Sequence, residues 1–106
     1  MTLAARLHEL RKSAGLQQQA LADLVDARVR AAGGRGFDVT YLSKVENGRI
    51  APPAATTLAI LADELGADVD ELCVLAGKAP ADLVAALDRA DLATLKAVRA
   101  ALAARS

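Results

Sequence analysis

The side chains best suited to chemistry crowd into one run, "VTYLSKVENGR", residues 39–49. On a helix Val39, Thr40, Ser43 and Lys44 share one side, while Leu42 and Val45 fall on the other. That is the arrangement of a helix that enters the DNA major groove: hydrogen-bonding groups outward at its N-terminal end, an apolar back against the preceding helix. A lysine can donate to guanine O6 or N7, and a threonine can touch a thymine methyl or donate a hydrogen bond. Val39 is limited to apolar contact, for which a thymine methyl is the natural partner. Asn47, the backbone amide of Gly48 and Arg49 follow directly and suit a phosphate clamp. The chemistry on offer is recognition, not bond-making. Each residue also has a plainer reading, since Thr40 can simply satisfy a helix start and Lys44 can be a solvated surface lysine.

Other reactive groups are few and poorly arranged. His8 is the one histidine and Cys73 the one cysteine, too few for a zinc-ligand set. Cys73 sits in "ELCVLAG", where a small buried hydrophobe is expected rather than a redox thiol. Asp63, Glu64, Asp68, Asp70 and Glu71 lack the spacing of a calcium loop and read as helix caps and a solvated face. "GGRG", residues 33–36, has neither the lysine nor the strand–helix setting of a phosphate-binding loop. No catalytic nucleophile–base pair, no metal site and no cofactor is expected.

The elements that must position residues 39–49 follow from patterning. Thr2 can cap a first helix with Leu3, Leu7 and Leu10 at helical spacing, ended by Gly15. A second begins near Gln17 and runs through Leu21, Leu24, Val25, Arg28 and Val29 to about Ala32, where "GGRG" breaks it. Asp38 caps the short helix 38–47, which stops at Gly48. Pro52 and Pro53 bar helix until "ATTLAILADEL" begins a fourth, ended by Gly66. Asp68 and Glu71 read as a cap and its reciprocal partner for a fifth, closed by Gly77. In the tail from Lys78, Pro80 opens a helix with Leu83, Val84 and Leu87 on one face. Asp91 then caps a last one bearing Leu92, Leu95, Val98 and Leu102. Seven short helices are predicted.

Composition agrees. Of the 106 residues 26 are alanine and 17 leucine, against ten valines and isoleucines together, and Phe37 and Tyr41 are the aromatics. Helix formers dominate and strand formers are scarce, so the fold class is all-α. Charges interrupt every apolar stretch before it reaches the length of a membrane span, and acid and base within the first dozen residues do not resemble a secretory signal. The expected location is cytoplasmic, with no membrane partner. Net charge is zero, but residues 1–50 carry eight basic and five acidic side chains and residues 51–106 carry five and eight. A surplus of three positive charges in the first half is a modest pointer to a polyanion.

At "YLSKVENGR" the sequence resembles the Cro and lambda-repressor-like (xenobiotic-response-element-type) helix-turn-helix regulators. "ELRKSAGLQQQALA" resembles that family's first-to-second-helix junction and "TTLAILADELGADVDEL" its fourth and fifth helices. The resemblance implies a five-helix DNA-binding domain over 1–77 and a C-terminal helical tail over 78–106. It places Gln18 on a DNA phosphate, with Asn47 and Arg49, and gives base reading to Val39, Thr40, Lys44 and Ser43. It assigns Arg11 and Glu46 to an ion pair between the first helix and the recognition helix. Tyr41 is expected to pack.

Three features depart from the family pattern. Gln17 stands where a serine or threonine cap is usual, and the loop around Ile50, Ala51 and Pro53 lacks basic residues. The largest is an insertion over about 26–37, which extends the second helix and adds a glycine-rich loop. Its Arg28, Arg30 and Arg35 either restore backbone contacts, Arg35 being the best placed, or solubilise a projecting extension. The resemblance as a whole implies a bacterial or phage-type regulator binding palindromic double-stranded DNA as a homodimer, with steric repression the simplest mechanism. An antitoxin binding a protein through the tail, and a protein-interaction adaptor on the same fold, are the alternative readings.

Overall fold

The computed structural model describes residues 1–105. Among them the chain forms seven α-helices and no strand: α1 (Leu3–Ser13), α2 (Gln18–Ala31), α3 (Val39–Glu46), α4 (Ala55–Leu65), α5 (Val69–Ala76), α6 (Ala81–Asp88) and α7 (Leu92–Ala103). Short side chains set four of the starts, that of α5 through Asp68. Thr2 Oγ1 accepts from the Ala5 amide at 3.1 Å, Asp38 from Tyr41 at 2.7 Å and Asp91 from Thr94 at 2.8 Å. Gln17 precedes α2 without capping it. Gly66 and Gly77 end α4 and α5 in the left-handed conformation, at φ 64° and 69°.

The expected reciprocal cap between Asp68 and Glu71 does not form. Asp68 accepts instead from the Asp70 amide at 2.9 Å, and Glu71 turns to Arg6 on α1, whose Nε donates to it at 2.8 Å. A charge-assisted bond to a guanidinium outcompetes one to a neutral backbone amide.

One core joins the first five helices. Leu3 and Leu7 of α1 meet Leu21, Ala22, Val25 and Val29 of α2, Leu42 and Val45 of α3, Leu58, Leu61, Ala62 and Leu65 of α4, and Leu72 and Cys73 of α5. Phe37, delivered by the loop before α3, is buried with them. Leu24, which the sequence pattern groups with the apolar stripe of α2, is exposed. Arg28 lies on the same helix and reaches across to α4, where Nη1 donates to Asp63 at 2.6 Å and Glu64 at 3.2 Å. Arg30 turns back on its own helix to Asp26. Both guanidiniums are therefore held by carboxylates.

The last two helices behave differently. Neither α6 nor α7 contributes a buried residue, so the tail does not complete this core. The radius of gyration is 15.5 Å, where a compact chain of this length measures about 13 Å. The excess is that of a chain whose last two helices stand off from its core.

Candidate nucleic-acid interface

α3 packs on both α1 and α2, and its inward residues Leu42 and Val45 anchor it there. That fixes what points away. Thr40 and Lys44 are exposed, Val39 and Ser43 half-buried, and Asn47 follows at the C-cap, exposed. Gly48 then adopts φ 67°, a conformation costly for any residue with a Cβ, and turns the chain so that Arg49 follows on the surface. Gln18, in the first turn of α2, faces the same side. Together Gln18, Val39, Thr40, Ser43, Lys44, Asn47 and Arg49 line one open groove of about 400 Å³. Residues of α2 and of α3 with its following turn, 21 to 31 positions apart in sequence, thus form a single surface. Arg35 lies outside it.

Behind the groove is a buried ionic cluster. Arg11 Nε donates to Glu46 Oε2 at 2.8 Å and Nη2 to Oε1 at 3.0 Å, a bidentate pair that ties α1 to the end of α3. Arg11 Nη1 also donates to the Leu16 carbonyl at 2.9 Å, which holds the α1–α2 turn. Glu46 Oε1 further meets His8 Nδ1 at 3.1 Å and accepts from Gln18 Nε2 at 3.4 Å. Burial alone would raise the Glu46 carboxyl, but the hydrogen bonds from Arg11, His8 and Gln18 and the Arg11 charge bring it below its usual value. Glu46 is therefore an ionised structural group with both carboxylate oxygens engaged.

Some cations of the chain are paired with carboxylates and others are not. Arg6, Arg11, Arg28 and Arg30 each meet a carboxylate. Among the described residues none of Lys44, Arg49 and Arg35 has such a partner. The groove lining carries two cations and no acid. An otherwise neutral chain thus presents uncompensated positive charge where its exposed hydroxyl and amide groups converge.

Two residues acquire roles that the sequence reading did not give them. His8 joins the Glu46 cluster; the signal was its position three residues before Arg11, which puts both on one face of α1. Asp26 accepts the Phe37 amide at 2.7 Å and pairs with Arg30 four residues on. Hydrogen bonding to Phe37, against some desolvation, and the Arg30 contact hold its carboxyl below the usual range. Tyr41 packs edge-on against Phe37, ring centroids 5.1 Å apart, and its partial burial raises its hydroxyl. Cys73 is buried, and desolvation, with nearby Asp70 and Asp82, raises its thiol. Among the described residues no group of three or more His, Cys, Asp or Glu is placed to hold a metal ion, and no helix is long and apolar enough to cross a membrane.

Neither the curated proteins nor the solved structures contain a match to this chain. Its family is shown by residues 2–75, which match the helix-turn-helix domain and take in α1 to α5, the groove and the ionic cluster behind it. The chain belongs to the helix-turn-helix domain family.

Proposed function

We propose that the chain is a Cro and lambda-repressor-like regulator that reads a specific duplex DNA site with α3. The observation that carries this reading is the groove: seven polar or apolar contact residues from α2, α3 and the following turn, two cations among them, no carboxylate. Gln18, Asn47 and Arg49 take phosphates and set the register. Val39, Thr40, Ser43 and Lys44 then meet base edges. Such a protein blocks transcription by occupying its site. Arg11 and Glu46 hold α3 at its height above α1 and take no part in contact with DNA.

The regulator works as a homodimer joined by its tail. α6 and α7 are eight and twelve residues long and bury nothing, although helices of such length are marginal in water without packing. Leu83, Val84, Leu87, Leu92, Leu95 and Leu102 are all exposed, the two outermost at 67% each. Charge favours a second copy as the cover. Asp82 and Asp88 lie on α6, whereas Lys96 and Arg99 lie on α7, so a two-fold arrangement that lays α6 of each copy on α7 of the other sets acid against base twice. A dimer in turn fits a palindromic operator with half-sites about one helical turn apart.

Selection from a pool of random duplexes at about 150 mM salt tests the reading. The expected result is an inverted repeat, lost with the Thr40→Ala/Lys44→Ala protein. Retention of no particular sequence would overturn it and turn attention to a protein partner. For the tail, Leu87→Asp should yield a monomer with weaker operator affinity in sedimentation and binding measurements. A variant that stays dimeric would move the interface elsewhere.

A further inference from the structure

Residues 33–37, "GGRGF", have the composition of a wandering linker, yet both ends of the segment are fixed. At one end the Gly34 amide donates to the Val29 carbonyl at 2.8 Å. A Cβ on Gly34 would stand 2.6 Å from Val29 Cγ1 and 3.0 Å from Val29 O, so only glycine lets the loop lie this close to α2. At the other end the Phe37 amide donates to Asp26 Oδ1 at 2.7 Å, and the ring is buried. Arg30 Nε holds both oxygens of Asp26, at 3.1 and 3.0 Å. Gly36 adopts φ 120°, and a Cβ there would meet Arg30 Nη2 at 2.7 Å and Asp26 Oδ1 at 2.9 Å. Asp26 is thus a clamp with Gly36 fitted closely over it.

Between the two constrained glycines stands Arg35, exposed. Of the three arginines of the insertion over about 26–37, Arg28 and Arg30 are neutralised by carboxylates and Arg35 is not. It stands three positions before Asp38, the cap of α3, so its Cα lies within about 11 Å of the helix start. A helix inserted in a major groove about 12 Å wide has a phosphate backbone along either side of it. A long cationic side chain whose backbone is anchored beside the N-terminal end of that helix comes within reach of one of those strands.

The geometry points to Asp26 as a positioning residue that, by clamping the Phe37 amide, holds Arg35 on a DNA phosphate flanking the groove. The inference rests on the reading of α3 as the DNA-contacting helix. It gives the insertion a function, that of replacing the backbone contacts missing from the loop after α3.

The test is binding to a mixed-sequence DNA duplex of about three helical turns over a range of salt concentrations, since a phosphate contact is made on every sequence. Arg35→Ala should lower the slope of log affinity against log salt by about one unit. Asp26→Ala should lower it by as much, although it deletes a negative charge and frees Arg30, changes that by themselves would tighten binding. Asp26→Asn removes the same charge and likewise frees Arg30 but keeps an oxygen for the Phe37 amide, and should retain at least the wild-type slope. Adding Asp26→Ala to Arg35→Ala should lower the slope no further. Equal tightening by Asp26→Ala and Asp26→Asn would reduce Asp26 to a charge effect and overturn the proposal, as would an unchanged slope for Arg35→Ala. Amide exchange at Phe37 in the free proteins, slow in wild type and Asp26→Asn and fast in Asp26→Ala, reads the clamp without DNA. A wild-type protein that keeps a slow Phe37 amide but does not bind the duplex would overturn the reading of α3, and with it the role of Arg35, while leaving the clamp intact.

Discussion

Gln18 in the first turn of α2 and Glu46 at the end of α3 meet through Gln18 Nε2 and Glu46 Oε1 at 3.4 Å, and the same oxygen accepts Arg11 Nη2 at 3.0 Å. The side chain assigned to a phosphate is therefore braced by the carboxylate that locks α3 to α1. A buried bidentate ion pair has directionality that leucine packing lacks. It fixes the height and rotation of α3 while Leu42 and Val45 supply the adhesion.

Removing one member of that pair leaves the other charged and buried. Glu46→Gln should cost about 3–5 kcal/mol of folding stability, because Arg11 then loses its counter-charge in an environment it cannot leave. Thermal and urea unfolding measure this. A loss below about 1 kcal/mol would mean that water reaches Arg11 and that the pair is dispensable.

The same cluster should make the fold acid-labile. The Glu46 carboxyl titrates below its ordinary value when folded, so the unfolded chain binds its proton first. Its contribution is complete above the ordinary carboxylate value and is lost as pH falls through the folded one. Asp26 and Asp91 are displaced in the same direction by hydrogen bonds from the Phe37 and Thr94 amides. Stability should hold from neutrality to about pH 5 and decline below about pH 4, more gently in Glu46→Gln. Unfolding midpoints measured across that range give the comparison.

Seven helices, four of their side-chain caps and the inward Leu42 and Val45 are legible in the sequence, because each depends on residues within a turn of one another. What escapes reading depends on choices among partners. Asp68 and Glu71 have the spacing of a reciprocal cap, but Arg6 comes within reach of Glu71 only once α1 and α5 are packed. Arg28 looks free in sequence and is paired in space, since Asp63 and Glu64 lie 35 and 36 positions away. Asp26 is hidden for the same reason, its main partner being a backbone amide eleven residues on. The groove residues on α3 can be picked out by helical spacing alone, whereas the bracing of Gln18 by Glu46 is tertiary.

Pairing of this kind sorts cations by their effect on DNA binding. Arg49 meets no carboxylate and lines the groove, so Arg49→Ala should lower the salt slope by about one unit. Arg28 is occupied by Asp63 and Glu64, so Arg28→Ala should leave the slope unchanged while loosening α4 from α2. Titrations over a series of salt concentrations distinguish the two. Equal slopes for both variants would show that pairing does not decide which cations reach DNA.

The cap of α7 offers a way to perturb the tail without touching its apolar face. Asp91 accepts the Thr94 amide at 2.8 Å, and the helix that it begins buries nothing within its own chain. Asp91→Ala should lower helix content and shift a dimer toward monomer, with α1 to α5 unaffected. Circular dichroism read together with sedimentation checks both. Lost helix with an undisturbed dimer would exclude α7 from the interface.

Lys44 distinguishes reading from holding. It lies one helical turn after Thr40 on the outer side of α3, beyond the buried Leu42 and Val45, so its substitution leaves the core alone. A lysine on a guanine edge discriminates one base pair, whereas a lysine on a phosphate strengthens binding to every sequence alike. Lys44→Ala should therefore cost about 1–3 kcal/mol on the preferred site and much less on a site altered at the base pair it reads. The measurement is a double-mutant cycle between Lys44→Ala and each single base change in the selected duplex. Coupling concentrated at one position assigns Lys44 to a base. Uniform loss across all positions, with a slope lowered like that of Arg49→Ala, would place it on the backbone and leave Thr40, Ser43 and Val39 to read the sequence.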